Sequence, residues 1–181
     1  MDNPYAATDQ ARSINLKPES AAAIATATRT MQIIAGALMC GTLTFSGVVL
    51  LSSGGNLPGK VDVLTMLGVG IGVAAVFAHF IVPMVVSNAQ MGVLTRNSDV
   101  PDSETDRVTA CCSVMQTKTI IGFALLEGAT FFNLVAILIE KSVWSVVVAG
   151  VLFLLMAFRF PTRNQIEAWV EDKLRAFQRT G

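Results

Sequence analysis

Charge is what this sequence has least of. Only 14% of its 181 residues are Asp, Glu, Lys or Arg, against about 25% in a soluble domain. With 52% hydrophobic residues and a mean hydropathy of +0.58, the chain has no ordinary water-soluble surface and reads as a multi-pass membrane protein. Its 13 basic and 13 acidic residues cancel, which leaves no electrostatic footprint for nucleic acid. Cysteine is scarce too. Cys40, Cys111 and Cys112 cannot build a disulfide framework, form no C-x-x-C and lack the spacing of a metal site. The single histidine, His79, leaves no hydrolase triad. No haem, flavin or phosphate motif is present, so the reading is a non-enzyme without metal or cofactor. Residues 1–28 are polar and Ala/Thr-rich. They lack a basic stretch followed by an apolar one, and no cleavable signal peptide is expected.

What the sequence does have is long apolar runs. Four of them, at about 31–51, 61–86, 118–139 and 143–160, can cross a hydrocarbon core roughly 30 Å thick. Helices are expected, because lipid cannot satisfy open backbone groups. The fold class predicted is an all-α membrane protein of four transmembrane helices in two tandem hairpins, with a C-terminal amphipathic helix. The domain plan is an N-terminal segment at 1–28, helical from about 18, then the transmembrane domain at 29–160 and the amphipathic helix at 161–181. Of the 13 Lys and Arg, only Lys60 and Lys141 fall on one side, so 13 − 2 = 11 fall on the other. That bias places both termini in the cytoplasm and the protein in the inner (plasma) membrane. Lys17-Pro18-Glu19, and Asp102-Ser103-Glu104 as a cap, mark helix starts upstream of the first and third spans. Both helices should then run roughly 50 Å and protrude from the bilayer. In the tail, Thr162 and Gln165 fit a capping box, and Ile166, Trp169, Val170, Leu174 and Phe177 recur at helical spacing. This helix is expected on the inner membrane surface or on the protruding helices, with docking of a partner as the alternative.

Shifting the sequence by 87 residues lays 30–51 over 117–138 with nine of 22 positions identical, which suggests an internal duplication. The comparison isolates Glu127, whose counterpart is Cys40. Both lie nine residues into their span, about 13–14 Å deep and near the bilayer centre. A charge there costs at least about 2.5–3.5 kcal/mol and is a functional candidate by default. The bland alternative is a neutral carboxyl that hydrogen-bonds a neighbouring helix. Its possible partners are Thr130 one turn on, Asn133, and Cys40, Thr42, Thr44 and Ser46 of the first span. His79 should lie several ångströms nearer the cytoplasm. Gly68, Gly70 and Gly72 have neither the spacing nor the βαβ setting of a dinucleotide fingerprint. In a membrane helix they, like Ala124 and Gly128, let backbones approach closely.

Residues 61–140, a Gly-rich helix, a polar loop and then "ALLEGATFFNLV", resemble the hairpin of the rotor-ring c subunit (proteolipid) of F- and V-type ATPases. That family sets its ion-binding carboxylate in an A-L-x-E-A-x-x-x-Y-G-L-V type of segment. Ala124, Leu125, Glu127, Leu134 and Val135 match it, while Phe132 stands for the Tyr, Gly128 for a small residue and Asn133 for the Gly. The resemblance implies that Glu127 carries a proton or cation. Two functions therefore follow from the sequence. One is a non-catalytic membrane scaffold or interaction subunit, with the bilayer and either a second copy or a membrane-complex subunit as partners. The other is an ion-handling subunit working through Glu127.

Overall fold

The computed structural model describes residues 17–55, 57–96 and 103–180, and every regular element among them is helical. The helices are α1 (Pro18–Ser52), α2 (Val63–Arg96), α3 (Glu104–Glu140), α4 (Val143–Phe158) and α5 (Arg163–Thr180). Three of them, α1, α2 and α3, are long and apolar enough to cross a membrane. The pair α4 and α5, bent by 64° at their junction, adds a fourth candidate if taken as one span. The starts follow the sequence signals. Lys17 stands before Pro18 in extended geometry, and Ser103 caps α3 by accepting the Asp106 backbone N–H. At its far end α3 stops on Lys141, which takes the left-handed conformation (φ 53°) and donates its N–H to the Ile137 carbonyl. This residue and Ser142 suffice to reverse the chain into α4.

Two boundaries differ from the sequence expectation. The second apolar run was expected at about 61–86, and the helix α2 passes through Pro83 and continues ten residues beyond that run, to Arg96. Proline removes only its own N–H and the bond to the carbonyl four residues back, that of His79, a loss that packed membrane helices tolerate. The fourth run ends as helix at Phe158, two residues early, with Arg159 capping it.

Helix directions follow from the contacts. Ser20 meets Glu104 and Thr105 at one end, and Phe45 stacks on Phe131 (5.3 Å) at the other, so α1 and α3 run parallel. Glu140 with Leu64, Asn133 with Gly68 and His79 with Gly122 make α2 antiparallel to α3. α3 is the central helix and touches all four others. Among the described residues α1 and α2 do not touch each other, so the expected first hairpin is not packed as a hairpin. The α1 seam (Ile24, Thr28, Met31, Ala35, Thr42, Val49) steps by three, four or seven residues, the spacing of parallel helices packed knobs-into-holes. Elsewhere large apolar side chains face outward, including Val63, Met66, Phe77 and Met84 of α2. In water such a surface would aggregate, whereas lipid solvates it.

α5 settles a choice left open by the sequence. Its apolar side chains Ile166, Val170 and Leu174 are buried against Ile24 and Met31 of α1 and Val108, Cys111 and Cys112 of α3. The tail therefore packs on the basic-end halves of α1 and α3 through these three side chains, while the side chain of Phe177 lies outside the described residues. Burial pushes the Cys111 thiol up to about 11 and raises Cys112 as well, so neither is a reactive surface cysteine.

Candidate functional site

Glu127 stands on α3 between inward-facing Leu126, Ala129 and Thr130 and outward-facing Ala124 and Gly128. Its side chain is half-buried. One turn further on, Phe131 stacks on Phe45, which puts Glu127 on the flank of α3 nearest α1. No hydrogen bond or ion pair joins its carboxyl to any described residue.

The partners expected for it are occupied elsewhere. Thr130 donates to the Leu126 carbonyl (2.7 Å), Thr42 to Leu38 (3.0 Å), Thr44 to Cys40 (2.8 Å) and Ser46 to Thr42 (2.7 Å). A hydroxyl in an apolar helix satisfies itself one turn back more cheaply than by reaching across to a neighbour. Cys40 is exposed on the outer side of α1. Asn133 faces α2 instead. Its Nδ2 donates to the Gly68 carbonyl (3.1 Å) and to Ala129 (2.9 Å), while its buried Oδ1 has no partner. His79 lies five residues nearer the basic end, where Nδ1 pairs with the Gly122 carbonyl at 2.9 Å. Because a carbonyl only accepts, Nδ1 carries the proton. The rise along α3 from Gly122 to Glu127 is roughly 7 Å, so His79 and Glu127 work at different levels.

The glycines divide by face. A Cβ on Gly68 would stand 2.5 Å from Asn133 Oδ1, and one on Gly72 would stand 2.9 Å from Val148 Cγ1, so these two, one turn apart, seat α2 against α3 and α4. A Cβ on Gly70 would meet nothing within 4 Å. Gly70 is not a packing glycine within the chain, because it points away from the seam. Gly128 likewise has nothing within 4 Å, and Ala124 is exposed, so their small faces are open rather than filled.

A cluster at the opposite end was not anticipated. Glu140 accepts the backbone N–H groups of Leu64 and Thr65 and the Thr65 hydroxyl, each at 2.7 Å. It caps the start of α2, whose first turn carries no acid of its own. Beside it Ser142 donates to the Lys60 carbonyl (2.8 Å). Desolvation pushes the Glu140 carboxyl up, but the Thr65 and Leu64 hydrogen bonds outweigh it and hold the group below its ordinary value. The only sequence clue was an acid at the end of an apolar run; its partners lie 75 and 76 residues away. Among the described residues no group of three His, Cys, Asp or Glu side chains could hold a metal ion. Compared with family models, curated proteins and solved structures, this chain matches none.

Proposed function

We propose that this chain is a four-span, non-catalytic interaction subunit of the inner membrane whose open α3 face seats a second copy of itself. The observation that carries the reading is Glu127, without a partner among the described residues and flanked by exposed Ala124 and Gly128. Small residues one turn apart let a second helix come close. A neutral carboxyl, both donor and acceptor, is satisfied by an identical carboxyl across a two-fold axis. The fourth span is α4, whose 16 residues reach about 24 Å. That is short of the hydrocarbon thickness and is offset by local thinning and by Arg159 snorkelling to the headgroups. The bias of Lys and Arg places both ends of the chain in the cytoplasm.

The test is oxidative cross-linking in native membranes, with Ala124→Cys placed in a chain lacking Cys40, Cys111 and Cys112. A disulfide-linked dimer is expected, and it should be lost with Gly128→Leu and weakened with Glu127→Gln. A chain that stays monomeric in the membrane refutes the reading. The same free carboxyl favours a second one, proton or cation handling of the proteolipid kind. Selective reaction of Glu127 with a hydrophobic carbodiimide, slowed by Na⁺ or high pH, would support it. Absence of that reaction would remove it.

A further inference from the structure

A cavity of about 270 Å³ opens where α2, α3 and the α4–α5 bend converge, at the basic end of the bundle. Lys118 and Arg159 line it together with His79, Gln165 and Trp169, and among the described residues no carboxylate does. Trp169 brings in a third cation, since Lys118 Nζ lies 5.9 Å and Lys173 Nζ 5.8 Å from the same indole ring. Arg159 rests one face of its guanidinium on Phe80 (5.0 Å), which leaves its edge N–H donors available. Neither the Lys118 ammonium nor the Arg159 guanidinium gives a hydrogen bond or ion pair to any described residue.

Composition does not force this arrangement. The chain has as many acids as bases, and nearby on α5 Glu167 and Glu171 pair with Arg163 and Arg175. Cations that merely snorkel would spread around the rim of the bundle. These converge on a concave wall, against their mutual repulsion, with an amide and an indole beside them. An anion between them removes the repulsion and takes up the free donors. Gly122 helps to shape the wall. His79 lies so close that an added Cβ would meet its ring at 3.2 Å, so a larger residue there displaces the imidazole.

We propose that this cavity binds the phosphate of an anionic phospholipid headgroup from the adjoining leaflet, held between Lys118 and Arg159 with Gln165 and Trp169 at its side. Phosphate fits because it offers several acceptor oxygens to donors on separate helices. A lipid, rather than a soluble phosphate, fits the place. The cavity sits where the apolar run of α3 begins, and Met115, Phe123 and Pro83 supply an apolar wall for the glycerol end. Its volume admits a headgroup but not a whole lipid. Basic pockets between membrane helices recognise such headgroups generally. The inference rests on the reading that α2, α3 and α4 cross the bilayer.

The test uses the purified full-length chain, with bound lipid counted by native mass spectrometry and thermal unfolding followed with added phosphatidylglycerol, phosphatidylcholine or inorganic phosphate. The wild type should retain phosphatidylglycerol in preference to phosphatidylcholine and be stabilised by it. Lys118→Gln and Arg159→Gln should each weaken retention about fivefold. Arg163→Gln, on the exposed side of α5, should leave it unchanged. With Trp144→Phe, Trp169 becomes the only tryptophan, and its emission should shift with phosphatidylglycerol alone. Equal retention of the two lipids, or phosphatidylglycerol binding unaltered by both neutralisations, overturns the proposal. Full stabilisation by inorganic phosphate alone overturns the lipid source and assigns the site to a soluble phosphate. The lipid comparison on the wild type stands even where a variant misfolds, and Arg159→Lys should restore part of the binding. A chain stripped from membranes by alkaline carbonate refutes the spanning reading instead; an embedded chain without lipid preference refutes only this site.

Discussion

Gly68→Ala is the substitution whose consequence the structure states most directly. The new Cβ would lie 2.5 Å from Asn133 Oδ1, closer than real Cβ contacts come, and a tight 3.1 Å from its Cγ. Asn133 is fully buried and cannot swing into lipid or water. It must either rotate, which breaks the 3.1 Å bond to the Gly68 carbonyl, or push α2 away from α3. An interhelical hydrogen bond in a membrane is worth about 1 kcal/mol, and overpacking adds about 1–3 kcal/mol, so the expected loss is about 2–4 kcal/mol. Gly70→Ala, half a turn away, should be neutral or slightly stabilising, because its Cβ meets nothing and alanine favours helix. The assay is reversible unfolding in mixed micelles with rising SDS, followed by tryptophan fluorescence. Adding Asn133→Ala to Gly68→Ala should recover part of the loss, and a double-mutant cycle measures that coupling. Equal effects of the two alanines, or additive behaviour of Gly68→Ala with Asn133→Ala, would refute the contact as the cause.

Two further predictions follow. Glu140→Gln should destabilise the chain at neutral pH and flatten its response to acid. A carboxyl whose folded pKa lies below its unfolded one contributes stability above the unfolded value, about 4.3, and loses it as pH falls through the folded value. The difference between wild type and Glu140→Gln should therefore shrink below about pH 4, and a difference constant across acid pH would be the contrary result. Val170→Asp buries a charge against Ile24 and Val108 and should release α5 at a cost of about 2–4 kcal/mol. Trypsin should then cut readily at Lys173 and Arg175, while Glu171→Gln, on the polar side, should leave the tail resistant.

Much of the architecture was legible because its signals are local. Pro18 and Ser103 mark helix starts through backbone chemistry within one turn, and apolar runs of about 20 residues report a solvent rather than a partner. The amphipathic period of α5 was equally visible, but not the surface that buries it. The faces of α1, α2 and α3 were far less legible. In a lipid-solvated helix the outward side is as apolar as the inward one, so periodicity does not distinguish Gly68 and Gly72 from Gly70. The surroundings of Glu127 were not legible for a related reason. Depth along the axis can be read from residue counts, but rotation about the axis cannot, and Thr130 and Thr44 turn out to satisfy their own helices.

By itself, then, the sequence determined an all-helical chain suited to a bilayer, its helix starts, the charge asymmetry of its two ends and the unusual carboxyl at Glu127. These depend on composition, on neighbours within a turn and on length against membrane thickness. Only the tertiary structure decided that α3 is the central helix, that Glu140 caps α2, that Asn133 reads Gly68 and that Lys118 and Arg159 face one cavity. Each joins residues more than 40 positions apart, and their meeting depends on how the helices are rotated and packed, which no local pattern encodes.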